Sequence, residues 1–515
     1  MNNSAAILRS LIVYAICIPL SIMVGSAVVS VANMPSYSNF GTFGVLALLL
    51  SAPILLRWHH PLLVLSWNLP VTIFFLPGQP AVILPMIAVS LGISVLQRAI
   101  DKNKRFIHAP QITWPLLCLM LVVLGTAKLT GGIGLHALGN STVGGKKYVF
   151  LLAGALGYFA LTARRIPPRQ AGLYVALFFL GSCMNIMGDF VAFVPKAFYF
   201  IFLFFPYDAY SYSETGGAMR FAGVAGASSA IIAYMLARYG LNGIFRSGKL
   251  WRVAAFILFN TLVLFGGFRS MFLNCAALFL VLFFLEGLHR TRLLPVFVFF
   301  GLLAAVVCLP MANRLPSTFQ RALSFLPVDI DPDVRADAQG SLDWRLDMWK
   351  ALLPQIPPHL LLGKGYALSR EDFELLGSDT AFHNIDPSQQ ALALAGDYHS
   401  GPLSVIIPFG IWGVIAFLWF VIAGFWAVNH NRLYGDPALQ TVNTFLYAVF
   451  LVKIFFFILV FGSLSSDVLN FAGTLGLSIS LNGGICRPSR KHAAITAGPP
   501  ARAPARPRLQ PVFPR

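Results

Sequence analysis

Apolar runs of about 15 to 25 residues recur along the chain from Leu8 to Ile485, each closed off by charges, glycine or proline. A bilayer core takes about 20 apolar residues per helix, and a backbone in lipid must satisfy its own hydrogen bonds, so each run predicts a membrane-crossing helix. The runs fall near 8–31, 40–56, 61–76, 81–97, 112–129, 148–162, 171–190, 223–238, 253–267, 270–285, 293–310, 403–428, 442–461 and 468–485, fourteen candidate spans. Pro70, Pro77, Pro80 and Pro85 interrupt or flank the third and fourth, so twelve is the alternative, and either even number keeps both termini on one side. The first run carries a lone Arg9 and no clear small-residue cleavage site, which reads as a retained helix and not a signal peptide.

Two stretches break the pattern. Residues 311–402 hold twelve of the nineteen acids and seven basic residues, enough chain for a small subdomain. Within it Ser341 precedes a helical pattern with Leu342, Leu346, Trp349 and Leu353 on one face, stopped by Pro354, and this predicts an amphipathic helix against the membrane surface. The tail beyond Cys486, with Pro499, Pro500, Pro504, Pro507, Pro511 and Pro514 among arginines and alanines, predicts a disordered segment. The expected organisation is eleven transmembrane helices over 1–310, a large loop over 311–402, three more helices over 403–485, and a tail over 486–515. The fold class is all-α, a polytopic transmembrane helix bundle.

Composition agrees: 57% of the 515 residues are hydrophobic and 11% charged, against about 25% charged in a soluble globular chain. The net charge of +18 would suggest nucleic acid in a soluble protein, but the basic residues are spread over short loops. With the N-terminus in the cytoplasm, that side receives 23 of them and the short outer loops only six, as the positive-inside rule requires. The lipid bilayer, not nucleic acid, is therefore the partner, and the 311–402 loop faces the periplasm. The six cysteines show no metal-ligand spacing and predict neither disulfides nor a zinc site.

No phosphate-binding loop is present: Gly363-Lys364-Gly365 lacks both its spacing and its hydroxyl residue, and zincin and serine-hydrolase motifs are missing. Cofactors and metals are expected to be none. What remains is a set of cations and a histidine on the outer face. Lys146 and Lys147 precede the sixth span, Arg220 the eighth and His399 the twelfth, while Arg269 opens the tenth. These spans all start on the outer side, where free N–H groups and the helix dipole favour anions. Guanidinium forks at such ends would suit a diphosphate. Lys146, Lys147 and Lys196 read equally as interfacial anchors, whereas Arg220 and Arg269 run against the positive-inside bias. The aromatic run Phe198–Tyr207 reads as an interfacial belt. Lys453 lies inside a span, where it pairs within the bundle or snorkels.

The segment His399-Ser-Gly-Pro-Leu403, with Gly410 and Gly413 downstream, resembles the His-Asn-x-Tyr-Leu…Gly-x-x-Gly pattern of the O-antigen ligase and O-antigen polymerase superfamily. Arg345, Trp349, Gly363 and Gly365 resemble its Arg…Trp…Pro…Gly-x-Gly segment, the stretch around Arg269 its Ser-Arg-Gly element, and that around Arg220 its Arg-x-x-Gly element. Ser400 stands in place of the family's Asn and Phe268 in place of its Ser. His383, followed by Asn384, competes with His399 but lacks the downstream glycines.

The resemblance implies a metal-independent membrane glycosyltransferase in the bacterial inner membrane with a periplasmic active site. It implies inverting transfer of a glycan from an undecaprenyl-diphosphate donor to lipid A-core (ligase) or to a second lipid-linked repeat unit (polymerase). In that scheme Arg220, Arg269, Arg345, Lys146 and Lys147 bind the donor diphosphate, His399 is the base for the acceptor hydroxyl, and Asp397 orients it. A secondary transporter is the rival of another class, although no internal repeat is evident and Lys453 is the only charge clearly inside a span.

Overall fold

A computed structural model describes residues 37–74, 76, 79–103, 105–131, 145–205, 220–367 and 396–488, with isolated positions between 18 and 29. The first expected span, His383 and nearly all of the tail lie outside the described residues. Among the described residues the chain is helical without a strand, apart from an isolated bridge between Thr72 and Ala81. Six helical stretches are long and apolar enough to cross a membrane: Ile83–Ile100, Pro110–Thr130, Pro168–Asp189, Ala222–Phe245, Gly401–Tyr434 and Pro437–Leu459. Shorter apolar helices occupy Leu250–Gly266, Arg269–Leu285 and Leu293–Val307. The protein is a multi-pass, all-α membrane protein.

The second and third expected spans are not separate. Helix α1, Tyr37–Ser66, runs through Pro53 and Pro61 as one element. It ends before Pro70, Pro77 and Pro80, each of which withholds a backbone donor, and the described residues between 67 and 82 are irregular. Helix α2 follows over Ile83–Ile100, α3 over Pro110–Thr130 and α4 over Gly145–Thr162. Helix α5, Ala171–Leu180, winds on through short tight turns to Ala192. Then come α6 (Ala222–Phe245), α7 (Leu250–Val263), α8 (Arg269–Leu285) and α9 (Leu293–Cys308). The loop contributes α10 (Ser317–Leu323) and α11 (Pro332–Leu352), and the bundle closes with α12 (Gly401–Tyr434), α13 (Gln440–Leu459) and α14 (Leu464–Asn482).

Close helix approach, the usual driving geometry in lipid, is supplied by small residues. A Cβ at Gly154 of α4 would come 2.7 Å from Val468 of α14, and one at Gly476 of α14 would come 2.7 Å from Leu161 of α4. An ion pair lies inside the bundle. Lys453 pairs with Asp467 at 3.5 Å, and Asp467 also accepts the Ser463 N–H at 3.0 Å. The lysine therefore pairs within the bundle.

The loop helix is longer than its apolar pattern suggests. Asp331 accepts the Asp333 N–H at 2.9 Å and Pro332 takes the first turn, so α11 starts nine residues before Ser341. Its packed face is Val334, Ala338, Met348 and Leu352. Of the anticipated apolar stripe, Leu342, Leu346 and Leu353 stay exposed, while Trp349 packs inward and donates Nε1–H to the Tyr398 carbonyl at 2.9 Å.

The loop is fastened to the bundle at a break in α12. Pro408 cannot donate, and Gly410 adopts φ 59°, which frees backbone groups of the helix. The returning loop takes them up: Lys364 and Gly365 donate N–H to the carbonyls of Ile407 and Pro408, each at 2.9 Å, and Ile411 donates to Leu360 at 2.7 Å. Gly363 has φ 75°, and a Cβ there would lie 2.3 Å from the Pro408 oxygen. Gly363→Ala is accordingly expected to cost about 1 to 3 kcal/mol through strain and overlap. The measurement is the unfolding midpoint in detergent together with protease sensitivity of the loop; an unchanged midpoint and cleavage pattern would show that this joint does not hold the loop.

Candidate functional site

The loop joint brings α11 over the mouths of α6, α8 and α12, and the cations meet there. Arg269 opens α8 and donates from Nη2 to the Ala338 carbonyl of α11 at 3.0 Å. Arg220, just before α6, lies 3.5 Å from the Asp337 carboxylate, and Arg321 of α10 lies 2.8 Å from the same carboxylate. A cavity of about 450 Å³ opens beside this cluster, with Arg269, Arg321, Arg345, Ser270, Ser341 and Trp349 in its wall. Among the described residues no aspartate or glutamate lines it. Arg345 Nε finds no hydrogen-bond partner among the described residues. Burial, and then the neighbouring Arg269 charge, hold the Arg345 guanidinium below its ordinary pKa. Excess positive charge of this kind is relieved by a multivalent anion.

His399 is not in the cavity wall but lies one aromatic ring away from Arg345, which is. Its ring meets Trp344 and Phe461 edge-on, both with centroids 5.0 Å away, and the Arg345 guanidinium sits 5.9 Å from the centre of the same Phe461 ring. Nδ1 is 3.2 Å from the Asp397 backbone oxygen and 3.6 Å from the Asp397 carboxylate. With Nδ1–H donated to Asp397, Nε2 carries the lone pair, the tautomer a general base needs. Burial lowers the imidazole pKa from 6.5; Asp397 counters this through its charge and its backbone oxygen, and the Arg345 and Lys147 charges add to the lowering. The backbone at His399 has φ 49°, a left-handed conformation that costs a non-glycine residue about 1 to 2 kcal/mol and turns the chain sharply into α12.

The remaining expected site residues divide. Lys147 lies in the first turn of α4, not before it, with Nζ 5.6 Å from the centre of the Tyr366 ring and no hydrogen-bond partner among the described residues. It is close enough to lower the His399 pKa electrostatically. Lys146 shares that turn but contributes none of the contacts of this cluster among the described residues. The start of α6 departs from the expectation of an open helix end, because the Asp189 carboxylate already accepts the Gly223 and Val224 N–H groups at 3.0 and 2.7 Å. The anion-binding capacity of that terminus is filled internally, while the start of α8 borders the cavity.

Sequence reasoning did not single out Arg321, Asp337, Trp344 or Phe461. Asp337 and Arg345 are two turns apart on one helix and so share a side, a signal that extending the helix back to Asp331 would have supplied. Arg321 belongs to a short helix without a motif, and only the folding of the loop brings it to Asp337.

The structure is thus a polytopic helical bundle with a guanidinium-lined cavity under a docked loop and a histidine one aromatic ring away from it. Residues 253–418, about a third of the chain, match the family model described as O-antigen ligase. The matched stretch includes Arg269, Arg345 and His399 and leaves Arg220, Lys146 and Lys147 outside. No curated protein matches the chain.

Proposed function

We propose that the protein transfers a glycan from an undecaprenyl-diphosphate donor to an acceptor hydroxyl at the periplasmic face of the bacterial inner membrane, as an O-antigen ligase does with lipid A-core. The observation that carries this reading is the cavity holding Arg269, Arg321 and Arg345 one aromatic ring away from His399. Nε2 of His399 takes the acceptor proton as the acceptor oxygen attacks the anomeric carbon from the side opposite the diphosphate. The bond from that carbon to the diphosphate oxygen breaks, the configuration inverts, and the arginines receive the negative charge that develops. Arg220 positions Arg321 through Asp337, and Lys147 adds positive charge near the base. The sidedness rests on the 23-to-6 distribution of basic residues, the 23 counting the tail as well as the short loops on its side.

The reading is tested with purified protein in vesicles, given a lipid-diphosphate glycan, lipid A-core, excess chelator and no nucleotide. Transfer is expected to persist, because guanidinium groups supply the electrostatic stabilisation. Loss of activity that a divalent ion restores would overturn metal independence, and donor movement across the vesicle without any new glycosidic bond would favour a transporter. Transfer to a second lipid-linked repeat but not to lipid A-core would make the protein a polymerase.

A further inference from the structure

A second cationic cavity, of about 420 Å³, lies at the opposite end of the bundle. Helix α4 connects the two: Lys147 is in its first turn beside the candidate site, and Arg164 and Arg165 follow its last residue, Thr162. Four guanidiniums line this second cavity, those of Arg98, Arg105, Arg164 and Arg165, together with His59 and Phe106, and among the described residues no aspartate or glutamate does. Asp101, the nearest acid in sequence, accepts the Asn103 N–H at 3.0 Å.

The walls are built, not merely charged. Ile107 donates to the Thr162 carbonyl at 3.0 Å and Ile166 to the Ser480 carbonyl at 2.9 Å, which ties the segments carrying Arg105, Arg164 and Arg165 to α4 and α14. Arg98 sits 5.6 Å from the centre of the Phe106 ring. Arg165 lies across the backbone of Gly483, where a Cβ would come 2.7 Å from its Nε. The buried His59 is fixed at 2.9 Å from the Ser90 hydroxyl. The four arginines are exposed, so water and salt screen part of their mutual repulsion, and an anion with several oxygens between them relieves the rest. The volume falls in the range of small-ligand sites. On α2, next to Arg98, Val95, Leu96 and Ile100 are apolar and exposed, a surface suited to acyl chains.

From this geometry we infer that Arg98, Arg105, Arg164 and Arg165 form a binding site for the phosphate of an anionic phospholipid, with its acyl chains along α2. Phosphate is the shared chemistry of a lipid head group and a soluble phosphate, and the apolar flank of α2 selects the lipid. The occupant bridges α1, α2 and the segments on either side of α3 and α4, so it stabilises the folded bundle through differential binding. This site is independent of the transfer chemistry at the other end of α4.

The test uses full-length protein in neutral detergent. Dioleoyl phosphatidylglycerol is expected to raise the unfolding midpoint by about 2.5 °C at a hundredfold excess over its Kd, while phosphatidylcholine and inorganic phosphate raise it by less than about 0.5 °C. Native mass spectrometry of the wild type should show phosphatidylglycerol adducts retained in preference to phosphatidylcholine, a readout that needs no variant. Arg98→Gln with Arg165→Gln, which leaves two arginines to preserve orientation, should lose most of the lipid-dependent rise while keeping the lipid-free midpoint and glycan transfer. An equal rise with phosphatidylcholine, or an undiminished rise in the double variant, would overturn the site. An equal rise with inorganic phosphate would overturn its assignment to a lipid.

Discussion

Replacing His399 by alanine is expected to reduce glycan transfer by roughly 10²- to 10⁴-fold, the range spanned by loss of a general base. Insertion and folding should survive, since the ring packs between Trp344 and Phe461 and not in the bundle. Alanine carries an added cost at φ 49°, so His399→Asn is the cleaner variant: asparagine tolerates the left-handed conformation and cannot act as a base near neutral pH. The pH profile provides a second readout. The reactive form is neutral imidazole, so the rate falls as pH drops through the folded pKa. Burial moves that pKa below 6.5, which puts the limb on the acid side of the ordinary histidine value. Asp397→Asn removes the charge that holds the pKa up and should shift the limb further to acid. His383→Ala should transfer normally. Wild-type rates in both His399 variants would remove histidine base catalysis, and a dead His383→Ala beside them would move the role to that residue.

The cavity arginines carry the next largest effect. Arg269→Ala and Arg345→Ala should each lose a charged hydrogen bond to the donor or transition state, about 1.5 to 3 kcal/mol, or roughly 10- to 150-fold in kcat/KM. Lysine replacements should recover only part, because an ammonium cannot grip phosphate oxygens in a bidentate way. Arg321→Ala belongs to the same series, and its effect should not add simply to that of Arg220→Ala, since both arginines hold Asp337. Steady-state transfer at varied donor concentration, with expression and midpoint controlled, measures all four. Unchanged kcat/KM in Arg269→Ala and Arg345→Ala would exclude the cavity as the donor site.

These residues were legible in the sequence to different degrees. Arg269 could be placed at a helix start because the apolar run begins immediately after it, and His399 because Pro402 and the long run that follows mark the start of α12. Arg345 came from its motif and not from periodicity. The glycines of the same motifs proved to be a mechanical joint: Gly363 and Gly365 lie in the break that Pro408 and Gly410 make in α12. Where anticipation failed, a residue distant in sequence had intervened. Asp189 closes the start of α6, and α1 runs unbroken through 57–60, where the sequence reading separates two spans.

The sequence by itself determined an all-helical, multi-pass membrane protein and most of its apolar helices, because transfer of an apolar run into lipid is a local property, summed residue by residue along one segment. It also located several cations at helix mouths. Only the tertiary structure decided which of them share a cavity, bringing Arg321 in and setting Asp337 between it and Arg220, leaving Lys146 aside, and setting Arg345 and His399 against one phenylalanine ring. Which face of α11 packs inward was decided there too. Such pairings depend on how a loop more than ninety residues long closes onto the bundle, and that closure is governed by a few backbone hydrogen bonds at a helix break, which hydrophobic periodicity does not encode.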